Sequence, residues 1–481
     1  MEMKGELVIL TKQEFKQLLQ TIDTLEATVK AQQEPIRKQE NIKKREKFSC
    51  NKFFSLVLLL NFYFMHTLKI ILYFILFLQI LSAQTPDTLS LSHADSLFLS
   101  KNLLVLAKKY NVDAQKALIE QARLLDNPSL YVEQNIFNST NKRYFDMSKN
   151  GEYAFQIQQI LYTAGKRNKR IQLATTQHQL SQQEFNMLLS TLLYDLHQLL
   201  IQLYYHTKTV TILNNEISEL QPLVNSFQEQ FEKGNISLKE VFRLRSLLFN
   251  LQSAVLEYQS QINELQKNLM IYLQLNTNQI IPNVDELPKT DVLSSLNPLA
   301  LKDTALKYRP DYQWSKLNYA YQQQNYSYQK SLAIPDFRIG YNFDKAGNFI
   351  LNYNALSLSM DLPFFNRNQG NIKASEFLMK QSLTEVQHKE QEIFSELVAA
   401  IQQVKNLYSL YEQVQVDFIK NFDSVKDGMQ ENFKKRNISV IEYTDFFESY
   451  INSVQQYYSL LMKYHLSVEQ LNYVVSKKII R

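Results

Sequence analysis

The sequence predicts a mainly α-helical fold with a small β part, built from two copies of one structural unit. Residues 228–240 and 430–442 are identical at eight of thirteen positions, at a constant offset of 202 residues. This offset is far longer than the roughly 20–50 residues of a solenoid repeat, so it indicates a duplicated half-protein. Only eight glycines and ten prolines occur in 481 residues, which favours long helices because helix breakers are scarce.

The duplication predicts two structural repeats, 84–281 and 298–481, joined by a proline-marked linker over 282–297. In the first repeat we expect a helix over 90–126, strands over 129–137 and 152–161, and a helical hairpin over 166–275 with its tip at 234–236. In the second we expect a helix over 298–332, strands over 336–344 and 353–362, and a helical hairpin over 370–478 with its tip at 436–438. Apolar residues recur at three- and four-residue spacing along the hairpins, which indicates side-by-side packing as in coiled coils.

The predicted strands alternate apolar and polar residues. The apolar positions are Tyr153, Phe155, Ile157, Phe337, Ile339, Tyr341, Phe343, Leu356, Leu358 and Met360. Strands of this length cross a bilayer when tilted, and this alternation is typical of a barrel with a lipid-facing exterior and a watery interior. A half-buried sheet is the alternative. Four strands cannot close a pore and lipid does not tolerate an open edge, so a membrane barrel requires several chains; three chains give twelve strands.

The N-terminal part has the layout of a secretory signal peptide that does not begin the chain. Residues 65–83 contain a basic start, an apolar run and small residues, as signal peptides do. We expect residues 1–64 to be a gene-model extension or a non-native segment. The alternative is a membrane anchor over 53–81, but His66 and Lys69 would then lie near mid-span, where charge is costly.

Composition excludes several functions. The net charge of +5 is diffuse, so it gives little support to nucleic-acid binding. A single cysteine, Cys50, excludes internal disulfides and thiolate zinc sites. The sequence has no catalytic or metal-binding motif, so we expect no enzyme activity, no cofactor and no metal site. His178, His197 and His206 share no helical-turn spacing and are expected to be tunnel or helix-surface residues.

Over about 88–478 the chain resembles the TolC-like outer-membrane efflux proteins. The motifs that carry the resemblance are Asn127-Pro128-Ser129-Leu130, Tyr308-Arg309-Pro310-Asp311, Ile334-Pro335, Pro363-Phe364-Phe365 with Gly370, and the two Asn-Ile-Ser tips. Glu152 together with the run from Gln159 to Arg167 looks like the heavy-metal cation branch, which is CusC/CzcC-like. The order and spacing of these motifs are more specific than any one of them.

The resemblance implies a homotrimer with a twelve-strand outer-membrane β-barrel continued by a twelve-helix periplasmic α-barrel. It implies an exit duct of a tripartite efflux system, which passively conducts substrates, including metal cations in the heavy-metal branch. The partners would be a periplasmic adaptor, an inner-membrane pump of the RND type and outer-membrane lipid. A structural periplasmic coiled-coil protein without a channel is the alternative.

Two further sites are expected near the inner end of the duct. Asp423 and Asp427 lie one helical turn apart, where the resemblance implies that carboxylate rings constrict the pore. The alternative is a solvated helix face on which they pair with Lys420 and Lys426. The tips are expected to dock an adaptor, through Gly234, Asn235, Ile236, Ser237, Arg436, Asn437, Ile438 and Ser439. Ser237 and Ser439, each followed by a glutamate three residues later, also predict capping boxes.

Overall fold

The structure is a computed structural model that describes residues 88–276, 279–284, 296–346, 350–414 and 416–480. The predicted segments 1–64 and 65–83 lie outside the described residues, as does most of the linker over 282–297. Within the described part, no helix combines the length and apolar character needed to cross a membrane.

The first half of the described chain contains two short helices, a pair of long strands and a very long helical hairpin. Its elements are β1 (Thr88–Ser90), α1 (Leu91–Lys101), α2 (Leu103–Arg123), β2 (Ser129–Gln134), β3 (Phe137–Asn138), β4 (Arg143–Tyr144), β5 (Tyr153–Leu161), α3 (Lys166–Glu232), α4 (Leu238–Leu273) and β6 (Ile281–Asn283). With 67 residues, α3 is about 100 Å long at 1.5 Å per residue.

The second half repeats this plan. Its elements are α5 (Pro298–Tyr308), α6 (Pro310–Leu332), β7 (Phe337–Asp344), β8 (Tyr353–Met360), α7 (Gln369–Val414), α8 (Val416–Lys434) and α9 (Val440–Val475). The first predicted strand ends earlier than expected, at Gln134, and a small hairpin formed by β3 and β4 follows it.

The helix that precedes the strands is interrupted in both halves, so the predicted continuous helices over 90–126 and 298–332 are wrong. The side chain of Asn102 accepts hydrogen bonds from the backbone N–H groups of Leu104 and Val105, both at 3.0 Å, and so caps a new helix. Arg309 precedes Pro310 and has an extended backbone, because a proline ring disfavours helical geometry at the residue before it.

The long strands form one antiparallel sheet in the order β2-β5-β7-β8. The central pair joins the two repeats, with Phe155 opposite Phe343 and Ile157 opposite Tyr341. Among the described residues, β2 and β8 each have a strand neighbour on one side alone. The sheet therefore has two open edges.

A buried lysine fixes the sheet to the helices. Lys166 begins α3, and its Nζ lies 2.8 Å from the Asp336 carboxylate, which precedes β7. The same carboxylate accepts a hydrogen bond of 2.8 Å from the backbone N–H of Thr163, and Lys166 also donates to the Ile334 carbonyl. These contacts hold the turn between β5 and α3, in the first repeat, against the segment that leads into β7, in the second repeat.

The helices pack along their apolar stripes, and α9 connects the two hairpins because it contacts both α3 and α7. Near the tips, Leu220, Leu244, Tyr443 and Phe447 belong to one buried cluster drawn from both repeats. Phe433 stacks on Tyr443 in this cluster with ring centroids 4.2 Å apart. The tip end of the molecule therefore has a shared core.

Candidate functional site

The sheet has one continuous apolar face. The strand register places Leu130 opposite Ile157, Ile157 opposite Tyr341, and Tyr341 opposite Leu356. Directly paired residues lie on the same side of a sheet, so all ten predicted apolar positions share this face together with Leu130 and Val132. Leu356 is 84% exposed and Leu358 is 66% exposed. A large apolar surface of this kind marks a site of contact with a membrane or a protein.

The opposite face is polar. It contains Gln156, Gln158, Arg338, Asn342 and Ser359, by the same register. Gln158 donates to the Ser359 hydroxyl at 3.3 Å across two strand spacings. That reach is possible because Gly340 lies between them without a side chain. An added Cβ at Gly340 would lie 2.7 Å from the Ser357 hydroxyl, so a larger residue there would have to displace the Ser357 side chain.

Each hairpin tip turns through a residue in the left-handed backbone region. Gly234 has φ +76° in the first tip, and Arg436 has φ +60° in the second. Glycine adopts this conformation freely, whereas a residue with a Cβ pays about 1–2 kcal/mol for it. The two tips thus have the same backbone path, but the second carries strain and a positive charge.

The predicted capping boxes are confirmed. The Glu442 carboxylate accepts the Ser439 N–H at 2.8 Å, and the Glu442 N–H donates to the Ser439 hydroxyl at 3.2 Å. In the first tip the Glu240 carboxylate accepts the Ser237 N–H at 2.8 Å. These bonds satisfy backbone donors at the start of α4 and α9, which fixes the angle between tip and return helix.

The predicted constriction residues lie on α8, the last turns before the second tip. Asp427 is exposed, with 74% of its side chain accessible, while the side-chain placement of Asp423 lies outside the described part of the structure. Lys426 contacts Asp427, as the alternative interpretation requires, but its amine lies closer to a carboxylate on α3. Its Nζ is 3.8 Å from Asp427 but 3.1 Å from Glu216 on α3.

Lys426 and Glu216 form a buried ion pair between the two repeats. Both side chains are nearly inaccessible, and Tyr450 on α9 donates its hydroxyl to Glu216 at 3.4 Å. Burial raises the pKa of the Glu216 carboxyl, and the Lys426 charge offsets this in part. Burial also opposes the charge on Lys426, but the Glu216 carboxylate keeps the pKa of that amine above its ordinary value. Three helices are therefore tied together just before the tips.

A second polar contact ties three helices nearer the middle of the hairpins. His197 on α3 lies between two carboxylates, with Nε2 at 2.8 Å from Asp95 on α1 and Nδ1 at 3.0 Å from Glu469 on α9. Burial lowers the pKa of His197, but the bonds to Asp95 and Glu469 outweigh it and raise the pKa to about 9. His197 is therefore a partly exposed helix residue whose ring joins two other helices through their carboxylates.

This contact predicts a loss of stability at alkaline pH. The folded pKa of about 9 exceeds the ordinary 6.5, so the stabilisation is complete below pH 6.5 and is lost as the pH rises through 9. The shift corresponds to about 3 kcal/mol of unfolding free energy. Urea unfolding on both sides of this pH range measures it. A His197→Asn variant should lose this pH dependence, and an unchanged dependence in the variant would assign it to other groups.

The described residues contain no group of three His, Cys, Asp or Glu side chains arranged to hold a metal ion. Both ring nitrogens of His197 are already engaged by carboxylates. The remaining candidate functional surfaces are therefore the apolar sheet face, the tips and the exposed carboxylate of α8.

Solved structures of outer-membrane channels share this fold. The CmeC channel of Campylobacter jejuni superimposes with a TM-score of 0.67 at 14% identity, covering 81% of this chain and 86% of that chain. CusC gives 0.64 at 14% identity, covering 80% and 91%. The open state of the Neisseria gonorrhoeae MtrE channel gives 0.61 at 10% identity, covering 81% and 89%. At these identities the likeness shows a common fold.

The fold is thus that of TolC-like outer-membrane channels. Residues 96–273 match the family model described as outer membrane efflux protein. The matched range covers α2 to α4 and so most of the first repeat. A comparison of the sequence with curated proteins finds no match. The family model and the CmeC and MtrE structures describe proteins of the outer membrane.

Proposed function

We propose that this protein is the exit duct of a tripartite efflux system and acts as a homotrimer. The observation that carries the proposal is the sheet with an apolar face and two open edges. Three such sheets joined edge to edge provide twelve strands with no edge left, which is the condition for spanning lipid. Each chain also brings two helical hairpins, so three chains provide twelve long helices for a periplasmic tunnel.

The tips are the proposed docking surface for a periplasmic adaptor. They are formed by Gly234, Asn235, Ile236 and Ser237 in one repeat and by Arg436, Asn437, Ile438 and Ser439 in the other. The Asn437 side chain donates to Asn432 at 3.0 Å, and Asn235 donates to Gln230 at 2.7 Å, so an equivalent side-chain hydrogen bond supports each turn. Arg436 gives the second tip a charge that Gly234 does not supply. An acidic surface on the adaptor would complement the positive charge of Arg436. We propose that this adaptor is coupled to an inner-membrane pump of the RND type.

Asp423 and Asp427 are the proposed pore constriction. With threefold symmetry each residue forms a ring of three carboxylates, which favours cations over anions. Asp427 is available for this role because its side chain is 74% accessible and Lys426, 3.8 Å away, lies closer to Glu216. The equivalent positions in the first repeat are Gln221 and Asn225, which bond to each other at 3.1 Å and carry no charge.

Metal cations are the proposed substrates. Support comes from the cation preference of carboxylate rings and from the sequence resemblance of Gln159–Arg167 to the heavy-metal branch. Within that motif Lys166 has a structural role, since it is buried against Asp336. A duct that released cations would need no tight metal site, because tight binding slows release.

Planar-bilayer conductance of the purified protein tests the duct and its gate together. We expect cation-selective channels for the wild type, and larger, less selective channels for Asp423→Ala/Asp427→Ala. Asp445→Ala is the control, because this exposed carboxylate lies on the return helix. Channels that the double substitution leaves unchanged would remove the gate assignment and keep the duct. Folded protein that never conducts would contradict the duct itself.

A further inference from the structure

The connection between β2 and β5, residues 135–152, has an unusual surface. We call it the distal loop, because it lies at the end of the sheet away from the helices. Five large apolar side chains in it are exposed, namely Ile136, Phe137, Tyr144, Phe145 and Met147. Tyr144 is 72% exposed and Phe145 is 63% exposed. Loops are ordinarily polar at such positions, so this cluster marks a contact surface.

The distal loop is held in one conformation by a buried carboxylate. Asp146 accepts hydrogen bonds from the Asn141 amide at 2.9 Å, the Asn138 amide at 3.2 Å and the Ser148 N–H at 3.0 Å. Bonds from Ser148 and Asn141 lower the pKa of Asp146 to about 2, so it stays ionised at neutral pH. Lys345, which follows β7, donates to the Ser148 carbonyl at 2.6 Å and ties the loop to the next connection.

Backbone strain accompanies the exposed aromatic residues. Phe145 has φ +49° and Lys142 has φ +51°, both in the left-handed region that favours glycine. A bulky residue remains in this region when surrounding contacts determine it, and such strain clusters at functional positions. The Phe145 N–H donates to the Ile136 carbonyl at 2.9 Å, which holds the strained residue next to another exposed apolar side chain.

The same loop has a surplus of positive charge. Lys142, Arg143 and Lys149 are exposed, and none of them forms an ion pair with any residue that the structure describes. Asp146 is the single acidic residue between 136 and 150, and its carboxylate is buried among its donors. Apolar side chains beside free cations complement a lipid with an anionic headgroup. The aromatic side chains can pack among the acyl chains of the lipid, and the cationic side chains can pair with its phosphate.

We propose that the distal loop binds phosphate-bearing lipids of the outer leaflet, with Tyr144 and Phe145 among the acyl chains and Lys142, Arg143 and Lys149 at the headgroups. The inference rests on the proposed function, in which the apolar sheet face contacts lipid. Leu130 and Val132 of that face precede the loop on β2, and Gln134 is the one residue of the same face between Val132 and the loop. The loop then fixes the depth of the protein in the membrane and gathers anionic lipid around it.

Fluorescence quenching by brominated lipids tests this proposal in the full-length protein. Trp314 is the single tryptophan, so a Trp314→Phe chain accepts one new reporter. Phe145→Trp reports on the distal loop, and Leu356→Trp reports on the sheet face. Both are placed in vesicles of phosphatidylcholine and phosphatidylglycerol, with bromine on the chains of one lipid or the other. We expect brominated phosphatidylglycerol to quench Phe145→Trp about twofold more strongly than brominated phosphatidylcholine does.

The charge variant Lys142→Asn/Arg143→Gln/Lys149→Gln should remove this preference and leave quenching by phosphatidylcholine in place. Asparagine suits position 142 because it tolerates the left-handed backbone. Equal quenching by the two lipids in the parent protein would overturn the proposal. It would also be overturned if Phe145→Trp were unquenched while Leu356→Trp is quenched, which would point to a protein partner. No quenching of Leu356→Trp would contradict the proposed membrane function, and the loop proposal with it.

Discussion

Replacing Ile339 with arginine is expected to abolish assembly in the outer membrane. Ile339 lies on the apolar face of a central strand, opposite Leu358 on β8 and Gln159 on β5. An arginine on the lipid-facing side near mid-depth costs about 2–4 kcal/mol, and a trimer would carry three of them. We expect the variant to be absent from the outer-membrane fraction and to form no trimer in semi-native electrophoresis.

Asn342→Arg is the matched control for this variant. Asn342 is on the same strand but on the polar face, opposite Gln156 and Ala355. There an arginine would meet water inside the barrel, so assembly should proceed. If both variants assembled equally well, the apolar face would not contact lipid, and a periplasmic structural protein would become the better interpretation.

Replacing Lys426 with methionine is expected to have the second-largest effect. The substitution leaves Glu216 buried without its charge partner, and breaking such a pair from one side costs about 3–5 kcal/mol. Because the pair ties α8 to α3, its loss should also free the segment that carries Asp423 and Asp427. We expect a lower free energy of unfolding in urea, followed by helical circular dichroism, and more frequent opening in bilayer recordings.

Two further variants distinguish the effect of breaking the buried ion pair from the effect of removing a positive charge in general. Glu216→Met/Lys426→Met replaces both partners with apolar side chains, which is often neutral in a buried setting, so stability should return. Lys435→Met removes an exposed lysine that pairs with Glu431 at 2.5 Å, and surface pairs contribute little. If Lys426→Met were no more destabilising than Lys435→Met, the buried pair would not hold the helices together.

Local signals explain which features the sequence could predict. The alternation of residues such as Ile339 and Leu358 identifies strands and their apolar face, because the strand period is two. The serine and glutamate pairs at each tip predict caps because both partners are within one helical turn. Helix breaks were harder: asparagine is a preferred N-cap, but a single one such as Asn102 is also tolerated within a helix, so it does not by itself mark a break.

The polar contacts between helices could not be predicted. His197 contacts Asp95 and Glu469, which are 102 and 272 residues away in the chain. Lys426 and Glu216 are 210 residues apart. No periodicity links such partners, since their meeting depends on how helices that are far apart in the chain align. The sequence offered Asp427 as one alternative partner for Lys426, whereas the structure places the Lys426 amine closer to Glu216 on α3.

The two open edges of the sheet also bear on how the protein matures. A single chain leaving the inner membrane would expose unpaired backbone groups along β2 and β8, and such edges readily pair with the wrong partner. In the proposed trimer, closure of the sheet needs two more copies of the chain. Productive maturation would then depend steeply on local chain concentration, whereas a wrong pairing would need a single encounter. Slow synthesis would then lower yield more than proportionally. Helpers that shield strand edges in transit would act on this protein before any channel exists.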